Sequence, residues 1–356
     1  MLRPFDFSAL FRCMQPFESP HSMSLVHFFP ERPDGSPLKI RRGLSALHPE
    51  DRGGIVTIGN FDGVHRGHQA ILSDAVAEAR AAGVPAVAVT FEPHPREVVR
   101  GIKVPRLTPF PVKAWLLARS GIDALVVLRF TQALAATDPA TFMKATLADG
   151  LNAQGVRVGY DFAFGKGRAG GFQTLKEAGE QLGFWARQHE PFQLAGQTVS
   201  STAVRLALEQ ADLHQVFTLL GRPHWTLARV VPGAGRGRTI GIPTANLSAH
   251  DNAILPPDGV YAVRVLTPDG MRDGVANIGT NPTFGGEARH AEVHLLEEPS
   301  VPLRGHRLIV AWIERLRGEV KFGGVEELVT QIRSDIEQGR AILAGHPAAQ
   351  PEYSIP

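Results

Sequence analysis

A short turn between an apolar run and a helical pattern carries the residues of this chain that are best suited to chemistry. These residues are Gly59, Asn60, Phe61, Asp62, Gly63, His65, Gly67 and His68. Two histidines three positions apart lie on one face of a helix, where backbone N–H groups and the helix dipole favour an anion. The spacing therefore predicts a binding site for nucleotide phosphates, although an isolated His-x-x-His is more often a pair of surface histidines.

A second candidate phosphate site lies at the start of a later helical pattern. Ser200, Ser201 and Thr202 supply hydroxyl groups at the predicted helix start, and Arg205 follows one turn later. Hydroxyls, helix N–H groups and a guanidinium together suit the β- and γ-phosphates of ATP. The serines and threonine also fit an ordinary N-cap, and the two roles are compatible.

The first half of the chain alternates the patterns of strands and helices. The order is apolar at residues 55–58, helical at 69–82, apolar at 84–91, helical at 112–119, apolar at 122–130 and helical at 139–151. Asp138 and Pro139 suit the N-cap and first turn of the last helix. The alternation predicts a doubly wound parallel sheet, whose ligands bind beyond the carboxyl ends of the strands. The turn with the two histidines falls at such an end.

The second half of the chain, after about residue 221, has a different pattern. A helical pattern over residues 202–220 gives way to short strands separated by Gly and Pro. Strands at 260–266 and 271–278 flank a Thr-Pro-Asp-Gly turn, and a further strand covers 307–313. These features predict a small antiparallel β-barrel, followed by an amphipathic helix over 325–343.

Composition limits the classes of protein to which the chain can belong. With 356 residues it is long enough for two domains, and its formal charge of +2 argues against a strongly electrostatic nucleic-acid partner. The single cysteine, Cys13, excludes an intrachain disulfide and a cysteine-based metal cluster, and fits a reducing cytoplasm. No apolar run reaches the length of a membrane span, so no membrane partner is expected. Composition leaves a homo-oligomer open.

Six ordered motifs resemble those of the prokaryotic bifunctional riboflavin kinase/FAD synthetase family. The first of them is also similar to the His-x-Gly-His signature of the nucleotidyltransferase superfamily. The resemblance extends from about residue 23 to about residue 342. The motifs are HRGH at residues 65–68, VGYDFAFG at 158–165, SSTAVR at 200–205, GRP at 221–223, GIPTAN at 241–246 and NIGTNPTF at 277–284.

The resemblance implies a bifunctional transferase that uses ATP twice. A carboxyl-terminal domain, residues 216–343, would phosphorylate riboflavin to FMN. An amino-terminal domain, residues 23–215, would adenylylate FMN to FAD and release pyrophosphate. Residues 1–22 are expected to be a disordered extension or a mis-assigned start, and residues 344–356 a disordered tail.

The resemblance also assigns roles within the adenylyltransferase domain. His65, His68 and Arg205 are expected to stabilise the charge that develops on the ATP phosphates, and Asn60 could hold a phosphate. The family more often has Asp at the position of Glu92, which makes Glu92 a weaker candidate. Flavin contacts are implied at Asp161, Phe162 and Arg317.

The implied kinase site needs a phosphate cradle, ligands for Mg²⁺ and a base. Thr244 and Asn246, two apart in an extended segment, present oxygens to one side and carry the metal role in the family. Glu292 stands at the position of the family's catalytic base; it is a weak base that can accept the proton late in the reaction. Without the resemblance, Glu292 would be interpreted as a carboxylate on the surface of a strand. The cradle residues, which also fit a hairpin loop, are Gly233, Gly235, Arg236 and Gly237.

Three alternative functions are weighed against this reading. Only one half could be active, or the chain could be a flavin-binding regulator on an enzyme scaffold. A nicotinamide- or FAD-dependent oxidoreductase would rest on the G-x-G-x-x-G match at residues 165–170 with Glu190 beyond it. That fingerprint usually opens the first strand–helix unit, whereas this match follows four strand-like segments. We interpret it as a basic loop beside the flavin phosphate.

Overall fold

The computed structural model describes residues 30–233, 235–249, 252–280 and 289–346. The chain divides into two compact units, and the division falls between residues 200 and 201. Within the described residues, the sheet unit comprises 30–105 and 110–200, and the barrel unit comprises 106–109 and 201–346. The predicted extension over residues 1–22 lies outside the described residues.

The sheet unit contains a parallel sheet, as the alternating pattern predicts. Its strands in the described residues are β1 (Lys39–Arg42), β2 (Ile55–Ile58), β3 (Ala86–Glu92), β4 (Ala124–Arg129), β5 (Gly155–Val158) and β6 (Trp185–Gln188). Their order across the sheet is β1-β4-β3-β2-β5-β6. β2 is buried along its whole length, and β3 and β4 are buried at their first five positions. The apolar runs of the sequence therefore correspond to strands covered on both faces.

Helices connect these strands, and one of them differs from its prediction. The helices of the sheet unit are α1 (Arg66–Ala82), α2 (Pro95–Arg100), α3 (Phe110–Arg119), α4 (Gln132–Ala135), α5 (Pro139–Phe142) and α6 (Phe172–Leu182). The Asp138 carboxylate caps α5 by accepting the Thr141 N–H at 2.9 Å. The chain then continues as a π-helix over Met143–Ala148, because backbone N–H groups such as that of Asp149 bond five residues back. The single helix predicted over 139–151 therefore ends at Ala148.

The carboxyl ends of three neighbouring strands form the edge of the sheet that carries the first candidate site. β2 pairs in parallel with β3 on one side and with β5 on the other. Gly59 follows β2, Glu92 ends β3 and Gly159 follows β5. Residues distant in sequence therefore meet at this edge. After β6, a two-stranded ribbon of β7 (Gln193–Leu194) and β8 (Gln197–Thr198) completes the unit.

The barrel unit begins with two helices where the sequence predicts one over residues 202–220. They are α7 (Ser201–Glu209) and α8 (Leu213–Leu220). The break follows from Ala211, whose φ of +57° lies outside the helical range. The Asp212 carboxylate then starts α8 by accepting the Gln215 N–H at 2.8 Å.

Six strands of the described residues close into the predicted antiparallel barrel. They are β9 (His224–Val231), β10 (Ala245–Ala249), β11 (Gly259–Thr267), β12 (Gly270–Thr280), β13 (Arg289–Leu295) and β14 (Arg307–Arg317), with the single-turn helix α9 (Arg236–Thr239) after β9. Their order around the barrel is β10-β13-β12-β11-β14-β9. The first strand, β9, thus closes the barrel against the last, β14.

The final helix, α10 (Val325–Gly345), packs on the barrel and extends two residues into the predicted tail. Two arginines of the barrel attach it. Arg317 on β14 pairs with the Asp335 carboxylate, which is 2% exposed, at 2.7 Å. The buried Arg264 on β11 donates to the carbonyls of Leu343 at 2.9 Å and His346 at 2.6 Å. A guanidinium at a helix carboxyl end also complements the helix dipole.

Candidate active sites

The first site is built on the turn that follows β2. Phe61, Gly63 and Val64 have φ values of +50°, +87° and +42°, so the chain reverses sharply there. Positive φ values are uncommon outside glycine and cluster at functional sites. The turn delivers the chain to the start of α1, with its first N–H groups at the carboxyl edge of the sheet. The predicted turn is therefore formed, and its binding of phosphate stays a prediction.

The two histidines of this turn stack on each other. His65 is the N-cap of α1, and its Nδ1 accepts the backbone N–H of His68 at 3.3 Å. The imidazole rings are parallel to within 18° with centroids 3.7 Å apart. Gly67 gives this arrangement room, because a Cβ there would lie 3.3 Å from the His65 ring. Since Nδ1 of His65 is an acceptor, its Nε2 carries the proton and can donate to a ligand.

The surroundings keep both rings uncharged. Burial lowers the pKa of His65, which is 6% exposed, well below its ordinary value, and the neighbouring His68 lowers it further. Burial also lowers the pKa of His68 to about 4; the Asp62 carboxylate opposes this shift, whereas the Lys113 ammonium adds to it. Both imidazoles are therefore neutral at pH 7.

One ring nitrogen of His68 has no hydrogen-bond partner among the described residues. This atom, Nδ1, is buried. The edge of Phe61 covers the same ring, with centroids 5.3 Å apart. A buried polar atom without a partner is costly in a folded protein and marks either a functional group or a missing ligand. The contacts with Phe61 and His65 pack the ring on two sides.

Lys113 is the residue of this site that sequence reasoning missed. It lies on α3, its side chain is 3% exposed, and its Nζ is 2.8 Å from Oε1 of Glu92 at the end of β3. The same Nζ donates to the carbonyl of Asn60 at 3.3 Å and to Oγ1 of Thr90 at 3.4 Å. The available signal was a single lysine inside the otherwise apolar start of a helix, where a charged residue is rarely buried without a partner.

The predicted flavin contacts of the sheet unit follow β5 at the same edge. Asp161 is exposed, and its carbonyl accepts Nη2 of Arg168 at 3.5 Å. Phe162 stacks on Phe164, with ring centroids 5.1 Å apart, and packs against the core. Asp161 is thus accessible to a ligand, and its contact with flavin stays a prediction.

The G-x-G-x-x-G match does not have the structure of a dinucleotide fingerprint. Phe164 and Gly170 pair with each other across a 3₁₀ turn at Lys166–Arg168. The fingerprint requires a strand that leads directly through the glycines into a helix. Here β5 ends at Val158 and α6 begins at Phe172. The oxidoreductase alternative therefore loses the one feature on which it rests.

The residues of the predicted serine and arginine site follow β8 in the sequence. Ser200 ends the sheet unit, whereas Ser201 opens α7 of the barrel unit and Thr202 is exposed beside it. Nη1 of Arg205 donates to the Ser201 carbonyl at 3.3 Å. The helix start with its hydroxyls and guanidinium is thus formed as predicted. Its role in holding phosphate stays a prediction.

In the barrel, two glycines allow close approach of the chain around α9. A Cβ at Gly233 would lie 1.9 Å from Nδ2 of Asn246, and one at Gly237 would lie 2.3 Å from the Ile242 carbonyl. Gly235 has a φ of +69°, which starts the single turn of α9. The side chain of Arg236 lies outside the described part of the chain. The glycines therefore bring the backbone close to the residues predicted to bind the metal.

Three oxygen-bearing side chains meet between β10 and β13. Oγ1 of Thr244 donates to Oε2 of Glu292 at 3.2 Å. Asn246 is the cross-strand partner of Glu292 in the pairing of β10 with β13. The motif residues and the candidate base, more than forty positions apart in the sequence, therefore share one face. His294, two residues beyond Glu292, places its Nδ1 2.8 Å from the Pro243 carbonyl and holds the motif segment in place.

Arg317, predicted to contact flavin, is engaged in the barrel. Its guanidinium forms a two-pronged pair with Asp335, and its Nη1 donates to the Gly318 carbonyl at 2.9 Å. It also lies 5.7 Å from the centre of the Phe322 ring. The structure thus gives Arg317 a role in attaching α10, and its contact with flavin stays a prediction.

Comparisons with known proteins identify relatives of both units. The FAD synthetase family matches residues 47–203, and the riboflavin kinase family matches residues 220–343. A bifunctional riboflavin kinase/FMN adenylyltransferase of Pseudomonas fluorescens is 41% identical over 308 residues, covering 86% of this chain and 98% of that protein. The Bacillus subtilis enzyme of the same description is 34% identical over 299 residues, covering 82% and 93%.

A solved structure shares this fold as well. It is described as a macrolide-efflux protein from Streptococcus pneumoniae and covers 85% of this chain and 99% of its own. Its TM-score is 0.77, and it is 29% identical in sequence. Within the described residues of the present chain, no helix has the length and apolar character needed to cross a membrane.

Proposed function

This chain belongs to the family of bifunctional riboflavin kinases/FMN adenylyltransferases, and from that premise we propose how its residues divide two reactions. The chain is a transferase that phosphorylates riboflavin with ATP to FMN, and then adenylylates FMN with ATP to FAD. We assign the kinase to the barrel unit and the adenylyltransferase to the sheet unit. The convergence of Thr244, Asn246 and Glu292 in one unit, with the stacked His65 and His68 in the other, supports this division most directly.

In the kinase reaction, Glu292 acts as the base. The 5′-hydroxyl oxygen of riboflavin forms a bond to the γ-phosphorus, while the bond from that phosphorus to its bridging oxygen breaks and ADP leaves. The hydroxyl proton passes to the Glu292 carboxylate, whose Oε2 already accepts a hydrogen bond from Thr244 at 3.2 Å. The backbone around Gly233 and Gly237 cradles the phosphates with its N–H groups.

Mg²⁺ is the metal that suits this site. The hydroxyl of Thr244, the amide oxygen of Asn246 and the nearby Glu292 carboxylate are hard oxygen donors, which Mg²⁺ prefers. The Asn246 amide occupies the space that a Cβ at Gly233 would need, so a glycine at this position makes room for it. When bound there with ATP, the ion supplies positive charge to the β- and γ-phosphates.

In the adenylyl transfer, the nucleophile needs no base. A phosphate oxygen of FMN is already ionised and forms a bond to the α-phosphorus of ATP, while the bond to the leaving pyrophosphate breaks. Neutral His65 and His68 donate hydrogen bonds to the phosphates, and the N–H groups at the start of α1 add to the same charge stabilisation. Within the sequence limits 23–215 proposed for this domain, Ser200, Ser201, Thr202 and Arg205 bind the β- and γ-phosphates. Asp161 and Phe162 contact the flavin.

The limits of the domains, the location and the assembly are further proposals. The limits 23–215 and 216–343 follow the motifs, although the compact units divide at residue 200. A cytoplasmic location is supported by the single cysteine, since secreted proteins of comparable size commonly carry disulfides. No observation identifies a homo-oligomer, and nucleic acid is not required for either reaction.

One assay tests the whole proposal. Purified protein is incubated with riboflavin, ATP and Mg²⁺, and the flavins are separated by chromatography over time. FMN should appear first and FAD second, and FMN supplied alone with ATP should give FAD. Accumulation of FMN without FAD, or FAD formation from FMN without phosphorylation of riboflavin, would show that only one half is active. A redox-active flavin that stays bound without turnover would favour a flavin-binding protein.

A further inference from the structure

Lys113 contacts the adenylyltransferase turn although it lies on a helix distant from it in sequence. Its Nζ donates to the Asn60 carbonyl at 3.3 Å, one residue after the end of the apolar strand run at Gly59. A second bond reaches Oγ1 of Thr90, which itself donates to the same Asn60 carbonyl at 3.3 Å. Lys113, Thr90 and the Asn60 carbonyl are therefore joined to one another by three hydrogen bonds.

Burying this ammonium has a cost that a structural role alone explains poorly. A lysine side chain that is 3% exposed loses most of its hydration, and burial of a charge is tolerated only where it is paired and hydrogen-bonded. Glu92 supplies the counter-charge at 2.8 Å. An apolar pair of the same volume would give comparable stability at lower cost. Beyond this ion pair, the ammonium donates to the Asn60 carbonyl on the turn and to Oγ1 of Thr90 on β3, so it links the turn to the neighbouring strand.

Lys113 also acts on His68 through its charge. The pKa of His68 is shifted by burial first and then by two charged groups, Asp62 on the turn and Lys113 on α3, while the ring of His65 stacks on it. Asp62 favours the protonated imidazole, and Lys113 opposes it. Glu92, at the end of β3, faces Lys113 and partly neutralises it. Lys113 therefore offsets Asp62 at the ring that must stay neutral.

We propose that Lys113 is a positioning residue for adenylyl transfer: its ammonium fixes the Asn60 carbonyl, and with it the turn that carries both histidines. Its positive charge near His68 is the electrostatic part of this role. This role rests on the adenylyltransferase function proposed for the sheet unit. Lys113 acts through Asn60 and His68 rather than on the substrates themselves. Its loss should therefore reduce the turnover of FMN more than the affinity for FMN.

The test compares Lys113→Met with Lys144→Met in the full-length protein. Lys144 is an exposed lysine of the same unit and serves as the matched control. Lys113→Met should lower the kcat of FAD formation by about tenfold or more, with the KM for FMN changed less than about twofold. FMN formation from riboflavin, measured on the same sample, should be unchanged in both variants. If the wild-type protein makes no FAD at all, the proposed function fails, and not this inference.

The pH profile separates positioning from mere structural support. In Lys113→Met burial still lowers the pKa of His68, but the smaller lowering by the Lys113 charge is lost, so His68 should become protonated at a higher pH than in the wild type. The ratio of variant to wild-type FAD formation should therefore fall as the pH is lowered from about 8 to about 5. Titration of the FMN phosphate is common to both proteins and cancels in the ratio. A ratio that is constant across this range would overturn the electrostatic part of the proposal.

A double variant keeps the proposal testable if Lys113→Met does not fold. In Glu92→Gln/Lys113→Met both charges are removed, which spares the fold the cost of an unpaired buried carboxylate. If Lys113 serves only to neutralise Glu92, the double variant should make FAD as fast as Glu92→Gln alone, and the proposal is wrong. If Lys113 positions the turn, the double variant should remain about tenfold slower than Glu92→Gln. Melting curves of all variants identify any general loss of structure.

Discussion

The two proposed ATP sites of this chain place their functional groups in opposite environments. In the sheet unit, His65 is 6% exposed, and the stacked imidazoles are kept uncharged by burial. In the barrel unit, Thr244 is exposed, Glu292 is partly exposed, and both present oxygen atoms. The sheet unit therefore offers nitrogen donors that are shielded from water, whereas the barrel unit offers oxygen atoms that water can reach.

The difference follows from the two nucleophiles. The phosphate of FMN is already ionised, so the sheet unit needs only donors for developing negative charge, and shielding from water strengthens those hydrogen bonds. The 5′-hydroxyl of riboflavin must lose a proton, so the barrel unit needs a carboxylate that stays ionised. A carboxylate stays ionised more readily when it is solvated. The protonation state of the nucleophile thus accounts for the burial of each site.

The largest effect should come from removing the base. Glu292→Gln keeps the shape of the side chain but cannot accept the proton, so FMN formation should fall by about 10²–10⁴-fold. FAD formation from added FMN should remain near normal, because it needs no base. Both rates are measured on one preparation. Equal loss of the two activities in a folded protein would contradict the division of chemistry between the units.

Removal of a hydrogen-bond donor from the sheet unit should have a somewhat smaller effect, and it should affect FAD formation instead of FMN formation. His68→Ala deletes a neutral donor, which typically costs about 3 kcal/mol, or roughly a hundredfold in rate. FAD formation should fall accordingly, and phosphorylation of riboflavin should be retained. His48→Ala, at an exposed position of the same unit, serves as the control. Unchanged FAD formation in His68→Ala would show that the stacked pair does not act on phosphate.

A moderate effect is expected from crowding the proposed metal ligand. In Gly233→Ala the new Cβ would lie 1.9 Å from the Asn246 amide, which must move away. FMN formation should fall by about tenfold, since a displacement of this size misaligns the site. FAD formation and the melting temperature should be nearly unchanged. In Gly345→Ala, where no atom lies within 4 Å, both activities should be retained; equal losses in the two variants would argue against a role for Asn246.

The smallest expected change concerns the His68 imidazole, which should not titrate near neutral pH. The pKa of His68 is lowered to about 4, so its imidazole should show no change in NMR chemical shift between about pH 5.5 and 8. An unfolded histidine binds its proton near pH 6.5. The contribution of neutral His68 to stability is therefore complete above about pH 6.5 and is lost as the pH falls towards 4. A His68 signal that titrates near pH 6.5 would show that the ring is not shielded from water.

Local patterns predicted the framework of both sites. The apolar run before Gly59 became β2, and the His65-to-His68 spacing placed both rings together at the start of α1. The Thr244-to-Asn246 spacing placed both oxygens on one side of an extended segment, as expected from the alternation of side chains. The family motifs carried these predictions further, because they supplied Glu292 as the partner across the strands.

Long-range contacts were not predictable in the same way. Lys113 reaches Asn60 only because α3 packs beside the ends of β2 and β3, and a single sequence does not specify such packing. Arg317 likewise pairs with Asp335 because α10 lies on the barrel. The π-helix after α5 was missed for a different reason. A helical pattern does not distinguish bonds four residues back from bonds five residues back, and tertiary packing selects between them.

The closure of the barrel has a consequence for the growing chain on the ribosome. β9 pairs with β14, with Trp225 opposite Ala311. Arg264 donates to the carbonyls of Leu343 and His346, which are synthesised about eighty residues later. Nascent domains fold from the amino terminus as they emerge. The unit that acts second is therefore completed first. A chain interrupted before β14 would lack the strand that closes the barrel, and with it the unit to which the kinase is assigned.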